Sequence, residues 1–465
     1  MSTATPISAA ERISDLQQLA SDVVDRALRA GANEAEVVIR EGDEFSTLVR
    51  MGQVETLKES GARGIGLRVF LGESGSYRTA NTSTSDFSPS GLAHLVASAI
   101  DLAHVTSQDP FVGMPEPEAM GQIAGDLGLY YDDVYSLPPA ERIDYARRAE
   151  AAALSADPRL QNSDGGSFDA ATGRKVMVNS RGFSGEYRRS YCSLSAMPIA
   201  RTAEGGMQRD YWYSSARTVA KLESPESIGA EAARRTLRRL NARRVPTQSV
   251  PIVFAPEIAR SLVGSMFEAA NGDSIYRGAS FWANKLGEQV ASSNVTVIDD
   301  GTLPGLFGTA PFDGEGLPTR RTVIVENGVL KNYLLNTYTA RKLNMQSTGN
   351  ASRGLAGTPG IGAGNLFLVK GNISPQDLLR DVKSGFYVTE LMGSGVNMVT
   401  GDYSRGAAGL WIENGELTFA VEEITIAGNL KEMLHNITAI ADDLEFRGSV
   451  TSPTLRIDGM TIAGE

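Results

Sequence analysis

Apolar residues recur at every third or fourth position between Ile13 and Ala27, and this spacing predicts an amphipathic helix near the start of the chain. Ser8 and Glu11 have the spacing of a capping box at its beginning, and Gly31 follows as a stop signal. The same reasoning predicts three further helices before residue 250, at about residues 88–105, at 138–154, and from Ser224-Pro225 onwards.

Between these helices, apolar and polar residues alternate, which is the period of a half-buried strand. The alternation predicts strands at residues 36–40, 45–51, 54–58, 65–71, 176–178, 187–194 and 211–219. Helices and strands follow one another in blocks rather than as regular strand–helix–strand units. This order favours an α+β fold in which N-terminal helices pack on an antiparallel sheet.

The second half of the chain has the pattern of a β-rich, barrel-like domain with some helices. Residues 323–335 and 410–424 each place Asn-Gly between alternating apolar residues, which is a strong hairpin signal. Residues 349–364 are rich in glycine, and the pattern predicts an ordered loop or a flexible flap.

The length of 465 residues exceeds what one compact core usually contains, so two large domains are expected. We predict an N-terminal α+β domain at residues 1–222 and a C-terminal β-rich domain at 223–465. The proline-rich, unpatterned stretch 107–121 is predicted to be a loop or hinge within the first domain.

Composition narrows the possible partners and locations. The 44 basic and 55 acidic side chains give a net charge of −11, which disfavours direct nucleic-acid binding. No apolar run approaches the roughly 20 residues of a membrane-spanning helix, and the N-terminus lacks the pattern of a secretory signal. The single cysteine, Cys192, forms no intrachain disulfide. Together these features predict a cytoplasmic protein without membrane attachment.

A search for catalytic motifs finds no self-contained constellation. The three histidines, His94, His104 and His435, have no metal-ligand spacing between them and no glutamate placed as in a zinc-binding helix. The glycines at 360–364 precede a predicted strand instead of following one, so they do not fit a dinucleotide-binding loop. We therefore predict no catalytic residue and no metal ligand set in this chain.

Several runs in the second half resemble the TldD/PmbA family, and they match its TldE/PmbA branch better than its TldD branch. The longest is VTELMGSGVNMVTGDYSRGAAGL at residues 388–410. The others are SFWANKLG at 280–287, FDGEG at 312–316, YTARKLNMQSTG at 338–349 and EITIAGNLKEM at 423–433.

In the TldD branch, a helix with the pattern H-E-x-x-x-H supplies two zinc ligands and a general base, and a later cysteine completes the site. When that helix is aligned through the shared G-D-x₃-R-G run at 272–278, the histidines fall on Val263 and Glu268, and the glutamate falls on Gly264. The cysteine falls within 446–450 (FRGSV), which contains none. Zinc needs nitrogen, sulfur or carboxylate donors, so these are degenerate zinc-motif positions.

The resemblance implies a non-catalytic subunit that forms a heterodimer with a TldD-like zinc subunit. The zinc is expected in that partner and no cofactor in this chain. Unfolded or short peptides are the expected substrates, in leader-peptide trimming or antitoxin degradation. A homodimer without the partner is a further expectation. The candidate peptide-docking strand is the family run Thr400, Gly401, Asp402, Tyr403, Ser404, Arg405 and Gly406.

Two alternatives stay open at this stage. The run at 400–406 fits equally well as a strand and turn that only shape the core or a dimer interface. The whole chain also fits a stand-alone homodimeric binding or regulatory protein without protease activity. Such a protein would associate with itself and show no affinity for a TldD-like chain.

Overall fold

The structure, a computed structural model, describes residues 15–464. The predicted capping box at Ser8 and Glu11, together with Ile13, lies outside the described residues. The helices are α1 (Asp15–Arg29), α2 (Pro89–Val105), α3 (Asp132–Ser136), α4 (Pro139–Ser155), α5 (Pro225–Leu237), α6 (Pro256–Ala270), α7 (Gly272–Tyr276), α8 (Thr337–Lys342), α9 (Pro375–Leu379) and α10 (Leu430–His435).

The strands fall into two series along the chain. The first series is β1 (Glu34–Arg50), β2 (Gln53–Leu71), β3 (Arg78–Thr84), β4 (Leu160–Asn179), β5 (Ser184–Arg201), β6 (Met207–Arg209) and β7 (Trp212–Ala216). The second series is β8 (Gln248–Phe254), β9 (Val297–Asp300), β10 (Arg321–Glu326), β11 (Val329–Leu330), β12 (Ala351–Ser352), β13 (Gly360–Ile361), β14 (Leu366–Leu368), β15 (Ser384–Met392), β16 (Asp402–Glu413), β17 (Glu416–Asn429), β18 (Ile437–Ile440), β19 (Val450–Thr451) and β20 (Leu455–Ala463).

The first series forms one seven-stranded antiparallel sheet in the order β3-β2-β1-β4-β5-β6, with β7 also paired to β5. Helices α1, α2, α4 and α5 cover one face. Because side chains alternate along a strand, Val37 and Ile39 pack under α1 and α2, whereas Val38 packs on the other face against Phe312 of the C-terminal half. The predicted helices on an antiparallel sheet are therefore confirmed.

Helix starts followed the sequence signals closely. The Ser88 hydroxyl accepts a hydrogen bond from the backbone N–H of Gly91 at the start of α2, at 3.1 Å. The Ser224 hydroxyl does the same for Ser227 at the start of α5, also at 3.1 Å. Such caps satisfy N–H groups that have no partner inside the helix.

The predicted strand breaks at residues 41–44 and 59–64 are wrong. Strands β1 and β2 run uninterrupted and turn only at Met51-Gly52, where both residues have positive φ. The polar and glycine residues at 41–44 stay extended because β1 is paired on both sides, to β2 and to β4. Hydrogen bonds to the strands on both sides therefore keep these residues in a strand, although their own strand propensity is weak.

The second strand of this sheet has an open outer edge along part of its length. Strand β3 pairs only with residues 65–71 of β2. Among the described residues, no strand pairs with the outer edge of β2 from 53 to 64, and this stretch is largely exposed.

The C-terminal half contains a closed barrel. Strands pair in the order β17-β16-β15-β8-β20, and β17 also pairs with β20, which closes the ring. A second sheet has the order β11-β10-β9-β14-β19. Helix α6 contributes buried residues to the core that these two units share. The predicted barrel-like, β-rich character is confirmed, whereas the division at 222/223 stays a prediction.

Both predicted hairpins are present. Asn327-Gly328 joins β10 to β11, and Asn414-Gly415 joins β16 to β17, with positive φ at all four residues. Positive φ at both central positions is the conformation that a tight two-residue hairpin turn requires. No helix within residues 15–464 combines the length and apolar character needed to cross a bilayer.

The glycine-rich segment 349–364 packs against the sheet face that the helices leave free. It contains the short β12–β13 pair, and its Leu355 lies on two glycines of β2, Gly64 and Gly66. A Cβ atom on Gly66 would lie 1.8 Å from the carbonyl oxygen of Leu355. The absence of a side chain at Gly66 therefore lets the two backbones meet.

We predict that Gly66→Ala lowers the free energy of unfolding by about 1–3 kcal/mol, because the new methyl group forces the 353–355 backbone away from the sheet. Chemical denaturation monitored by circular dichroism measures the change. Gly354→Ala is the matched control, since a Cβ atom there meets nothing within 4 Å. Equal stability of the Gly66→Ala and Gly354→Ala variants would show that this close approach is not required.

Candidate functional site

Helix α6 is the element on which the degenerate zinc-motif positions lie. Pro256 begins it, at a position where a missing N–H costs nothing. Ala259, Leu262 and Met266 follow at helical spacing and are buried in the core beneath the barrel. The helix is therefore held by its apolar stripe.

The three aligned positions offer no ligand set. Val263 is fully buried in the core, Gly264 has no side chain, and a Cβ atom built on Gly264 meets nothing within 4 Å. Glu268 is exposed, although nearby protein atoms remove enough water to raise the pKa of its carboxyl. The structure thus places Val263 in the interior and Glu268 at the surface, so it does not bring them together around one point.

The segment aligned with the family's cysteine, 446–450, packs beside α6 through β19. Its Arg447 lies over the ring of Trp212, 4.5 Å from the centroid, and donates to Glu223 at 2.7 Å and to the carbonyl of Tyr213 at 3.0 Å. A guanidinium stays positively charged at all physiological pH values. This segment therefore contains a fixed cation and no thiolate.

These residues do not fit a hydrolytic zinc ion. Zinc requires three protein donors of the imidazole, thiolate or carboxylate type and one open position. The three aligned positions and segment 446–450 provide one exposed carboxylate, Glu268, and one guanidinium, Arg447. Within residues 15–464, no group of three or more His, Cys, Asp or Glu side chains is arranged to hold a metal ion.

A small cleft of about 190 Å³ lies between the N-terminal half of α6 and residues 443–452. Trp212 and Tyr213 form one wall, and Arg260, Arg447 and Glu257 contribute charges of both signs. The cleft suits non-covalent contact with a side chain, since aromatic faces and opposite charges lie close together. It contains no nucleophile paired with a base.

The candidate peptide-docking run 400–406 forms the start of β16. Residues 402–405 pair with β17 on one edge. On the other edge, the N–H of Ser404 donates to the carbonyl of Gly395 at 2.7 Å, and the N–H of Asn397 donates to the carbonyl of Asp402 at 2.9 Å. The backbone of this run therefore has partners on both edges, and an extended peptide would have to displace residues 395–397 to pair with it.

The side chains of the run divide between core and surface. Tyr403 is buried in the core cluster that contains Val263, and burial raises the pKa of its phenol to about 12. Asp402 and Ser404 are exposed, and Arg405 is half-buried. Peptide docking at this run stays a prediction, limited to contacts made by the exposed side chains.

The FDGEG run holds two buried carboxylates. Asp313 accepts hydrogen bonds from the backbone N–H groups of Glu315, Leu317 and Ala351, at 2.8 to 3.0 Å. Glu315 accepts from the N–H and the hydroxyl of Thr337, at 2.8 and 2.6 Å. Burial raises the pKa of both carboxyl groups. Hydrogen bonds from backbone N–H groups satisfy the two buried carboxyl groups, and they thereby hold the surrounding loops in one geometry.

A buried ion network joins the glycine-rich segment to the N-terminal sheet. Glu36 Oε1 lies 2.6 Å from Nη1 of Arg353 and accepts a hydrogen bond from Nη1 of Arg68 at 3.1 Å. All three side chains are nearly inaccessible to solvent. Arg40 donates to the carbonyl of Arg353. Sequence reasoning missed this network; its one local signal is a glutamate at a position of β1 that shares the buried face with Val38.

We predict that Arg353→Met lowers the free energy of unfolding by about 3–5 kcal/mol, because it leaves Glu36 buried with only Arg68 as a charged partner. Urea denaturation measures the loss. Arg148→Met is the control, since Arg148 pairs with Glu226 at the exposed surface and such a pair contributes about 1 kcal/mol or less. Similar losses in both variants would contradict a structural role for the buried network.

Three family models match the chain. Residues 35–103 match the PmbA/TldA metallopeptidase domain 1, residues 132–240 match the central domain, and residues 247–464 match the C-terminal domain. These matches extend over most of the chain.

Similar proteins carry the metalloprotease name. The chain is 38% identical to Metalloprotease PmbA of Escherichia coli O157:H7, over 97% of each chain. It is also 38% identical to a Metalloprotease PmbA homolog of Haemophilus influenzae, over 97% of this chain and 96% of the relative.

Solved structures share the fold. A protein from Bacteroides thetaiotaomicron, described as a candidate modulator of DNA gyrase, superposes with a TM-score of 0.89 at 29% identity, over 98% of this chain and 100% of the other. TldE from Thermococcus kodakarensis superposes with a TM-score of 0.84 at 20% identity, over 96% and 100%. The latter comparison supports the fold alone.

Proposed function

The chain belongs to the PmbA/TldD family of metallopeptidases, and on that premise we propose that it is the zinc-free subunit of a heteromeric zinc metalloprotease. In this proposal a TldD-like subunit binds the zinc and cleaves the peptide in the cytoplasm. The present chain supplies part of the enclosing wall and contacts to unfolded or short peptides.

The proposal rests on the side chains that α6 has at the two aligned positions 263 and 264. In the sequence alignment, α6 corresponds to the family's catalytic helix, and in this chain Val263 belongs to the core and Gly264 has no side chain. A zinc-activated water needs metal ligands and a base within hydrogen-bond reach. Neither residue can act as a ligand or a base, so hydrolysis by this family's chemistry requires a second chain.

The rival function is a stand-alone homodimeric binding or regulatory protein. The degenerate helix is compatible with that rival, because a binding protein also needs no metal. The two functions differ in their partner: the proposed subunit binds a TldD-like chain and gains peptidase activity with it, whereas the rival associates with itself alone.

We predict that the purified chain contains no stoichiometric zinc and cleaves no peptide when it is alone. Inductively coupled plasma mass spectrometry on protein purified without chelators measures the metal content. Glu268→Gln serves as the matched variant, since Glu268 is the one carboxylate at the aligned positions. About one tightly bound zinc per chain that is lost in Glu268→Gln would overturn the assignment.

We further predict that mixing the chain with a TldD-like zinc subunit gives a stable complex with greater peptidase activity than either subunit alone. Size-exclusion chromatography with light scattering measures the complex, and cleavage of an unfolded peptide measures the activity. If the zinc subunit alone were equally active, this chain would not be needed for catalysis. Self-association without a mixed complex would instead favour the homodimeric rival.

A further inference from the structure

A polar cavity of about 240 Å³ lies between the helix-free face of the seven-stranded sheet and the loops of the C-terminal half. Strands β1, β4 and β5 form its floor, and residues 299–320 and 349–364 form its walls. At roughly 30 Å³ per molecule, the space corresponds to about eight waters. It is separate from the cleft beside α6.

Cations dominate the lining of this cavity. Arg40, Lys175, Arg189, Arg320 and Arg353 face it, against two carboxylates, Asp299 and Asp313. Among the described residues, the first four of these cations form no ion pair with a carboxylate.

Two of the cations are direct cross-strand neighbours. Arg40 on β1 lies opposite Lys175 on β4, and Lys175 lies opposite Tyr187 on β5. Like charges placed opposite each other in a sheet are destabilising. Burial, together with repulsion from Arg40, Arg353 and Arg189 and despite an opposing attraction to Asp313, lowers the pKa of the Lys175 amine to about 7. The repulsion between Arg40 and Lys175 therefore destabilises the sheet at this point.

Buried guanidinium groups also lack acceptors here. The Arg353 side chain is fully buried, and its Nε and Nη2 have no hydrogen-bond acceptor within residues 15–464. The Nε of Arg40 is buried and lacks an acceptor as well. Unsatisfied buried donors of charged groups are costly, and these nitrogens, which the cavity space does not reach, add positive potential to its lining.

The two carboxylates offset these cations only in part: Asp313 attracts the Lys175 amine, but no side-chain hydrogen bond joins either carboxylate to a cation within the described residues. Asp313 is engaged by three backbone N–H groups, as described above. Asp299 accepts from the side-chain amide of Asn350 at 2.7 Å, and burial raises the pKa of its carboxyl to about 6. Among the described residues, Asp299 forms no ion pair with these cations.

Glycine forms part of the wall beside the loops. A Cβ atom on Gly308 would lie 2.0 Å from the carbonyl oxygen of Gly364, and one on Gly364 would lie 3.0 Å from Gly301. The glycines therefore let the backbones of residues 301, 308 and 364 pack against one another in this part of the wall.

We propose that this cavity binds a compact oxyanion, held by Lys175 and Arg40 and reached through Arg320 and Arg189. The anion accepts charge-assisted hydrogen bonds from these side chains and offsets the repulsion between the cross-strand cations. Two sources have this chemistry: a free inorganic ion such as phosphate, and the terminal carboxylate of a peptide. The volume accommodates either.

The test uses the full chain and inorganic phosphate as the probe, by isothermal titration calorimetry and thermal unfolding at ionic strength held constant with sodium chloride. We expect saturable binding and a rise in Tm that chloride does not produce. Arg320→Ala should weaken binding about tenfold, the effect of losing one charge-assisted hydrogen bond. Arg321→Ala is the matched control, because Arg321 is the exposed neighbouring arginine outside the cavity.

Lys175→Met provides an independent measurement. It removes the charge and keeps an unbranched apolar side chain, so the protein should keep its circular dichroism spectrum and gain stability in phosphate-free buffer. Its response to phosphate should fall. A chain that shows no phosphate-specific response, or loses it equally in Arg320→Ala and Arg321→Ala, would overturn the proposal.

The source of the anion is separated by a second titration with one short peptide in two forms, with a free terminal carboxylate and with a terminal amide. Binding of the carboxylate form alone, in competition with phosphate, assigns the site to peptide ends. Phosphate binding without peptide discrimination assigns it to a free ion. These results do not depend on peptidase activity, so the site and the subunit proposal stand or fall separately.

Discussion

The contact between Arg353 and Glu36 is the constraint on which the arrangement of the two halves depends. It brings a guanidinium from the C-terminal half under a sheet built by the N-terminal half, where water is nearly absent. The close approach at Gly66, the buried carboxylates of the FDGEG run and the cationic cavity all lie along the same seam. Because a buried charge without its partner is so costly, the loop at 349–364 has one position on the sheet rather than a range of positions.

The fold was predictable where the signals are local. Ser88 and Ser224 cap the starts of helices, and Asn327-Gly328 and Asn414-Gly415 form hairpin turns. These residues were predictable because each acts on the backbone of its immediate sequence neighbours. The errors at residues 41–44 and 59–64 have a non-local cause. From sequence alone, a glycine or aspartate inside a strand indicates a turn. Only the neighbouring strands, which pair with it in the fold, show that the strand continues.

The candidate site shows the same difference between residues that the sequence identifies and residues that only the fold brings together. Val263 and Gly264 could be identified only by resemblance to the family's motif, and the packing of Val263 in the core became visible only in the fold. Arg353 and Glu36 are separated by most of the chain, so no spacing rule connects them. Arg40 and Lys175 became neighbours only through the register of β1 with β4. Motif analysis does not detect charge clusters that sheet register assembles. Within its own segment, each member has the sequence pattern of an ordinary surface cation.

The C-terminal barrel and the N-terminal sheet differ in the backbone edges that they offer to other chains. A barrel that closes on itself leaves no strand with free N–H and C=O groups along its sides, whereas β2 presents such an edge from 53 to 64. That stretch alternates in charge through Glu55, Lys58, Glu59 and Arg63. Charged side chains on an open edge discourage another strand from adding to it. These ionised groups therefore oppose strand addition along the exposed half of β2, and neutralising them would turn that edge into a template on which further chains could assemble.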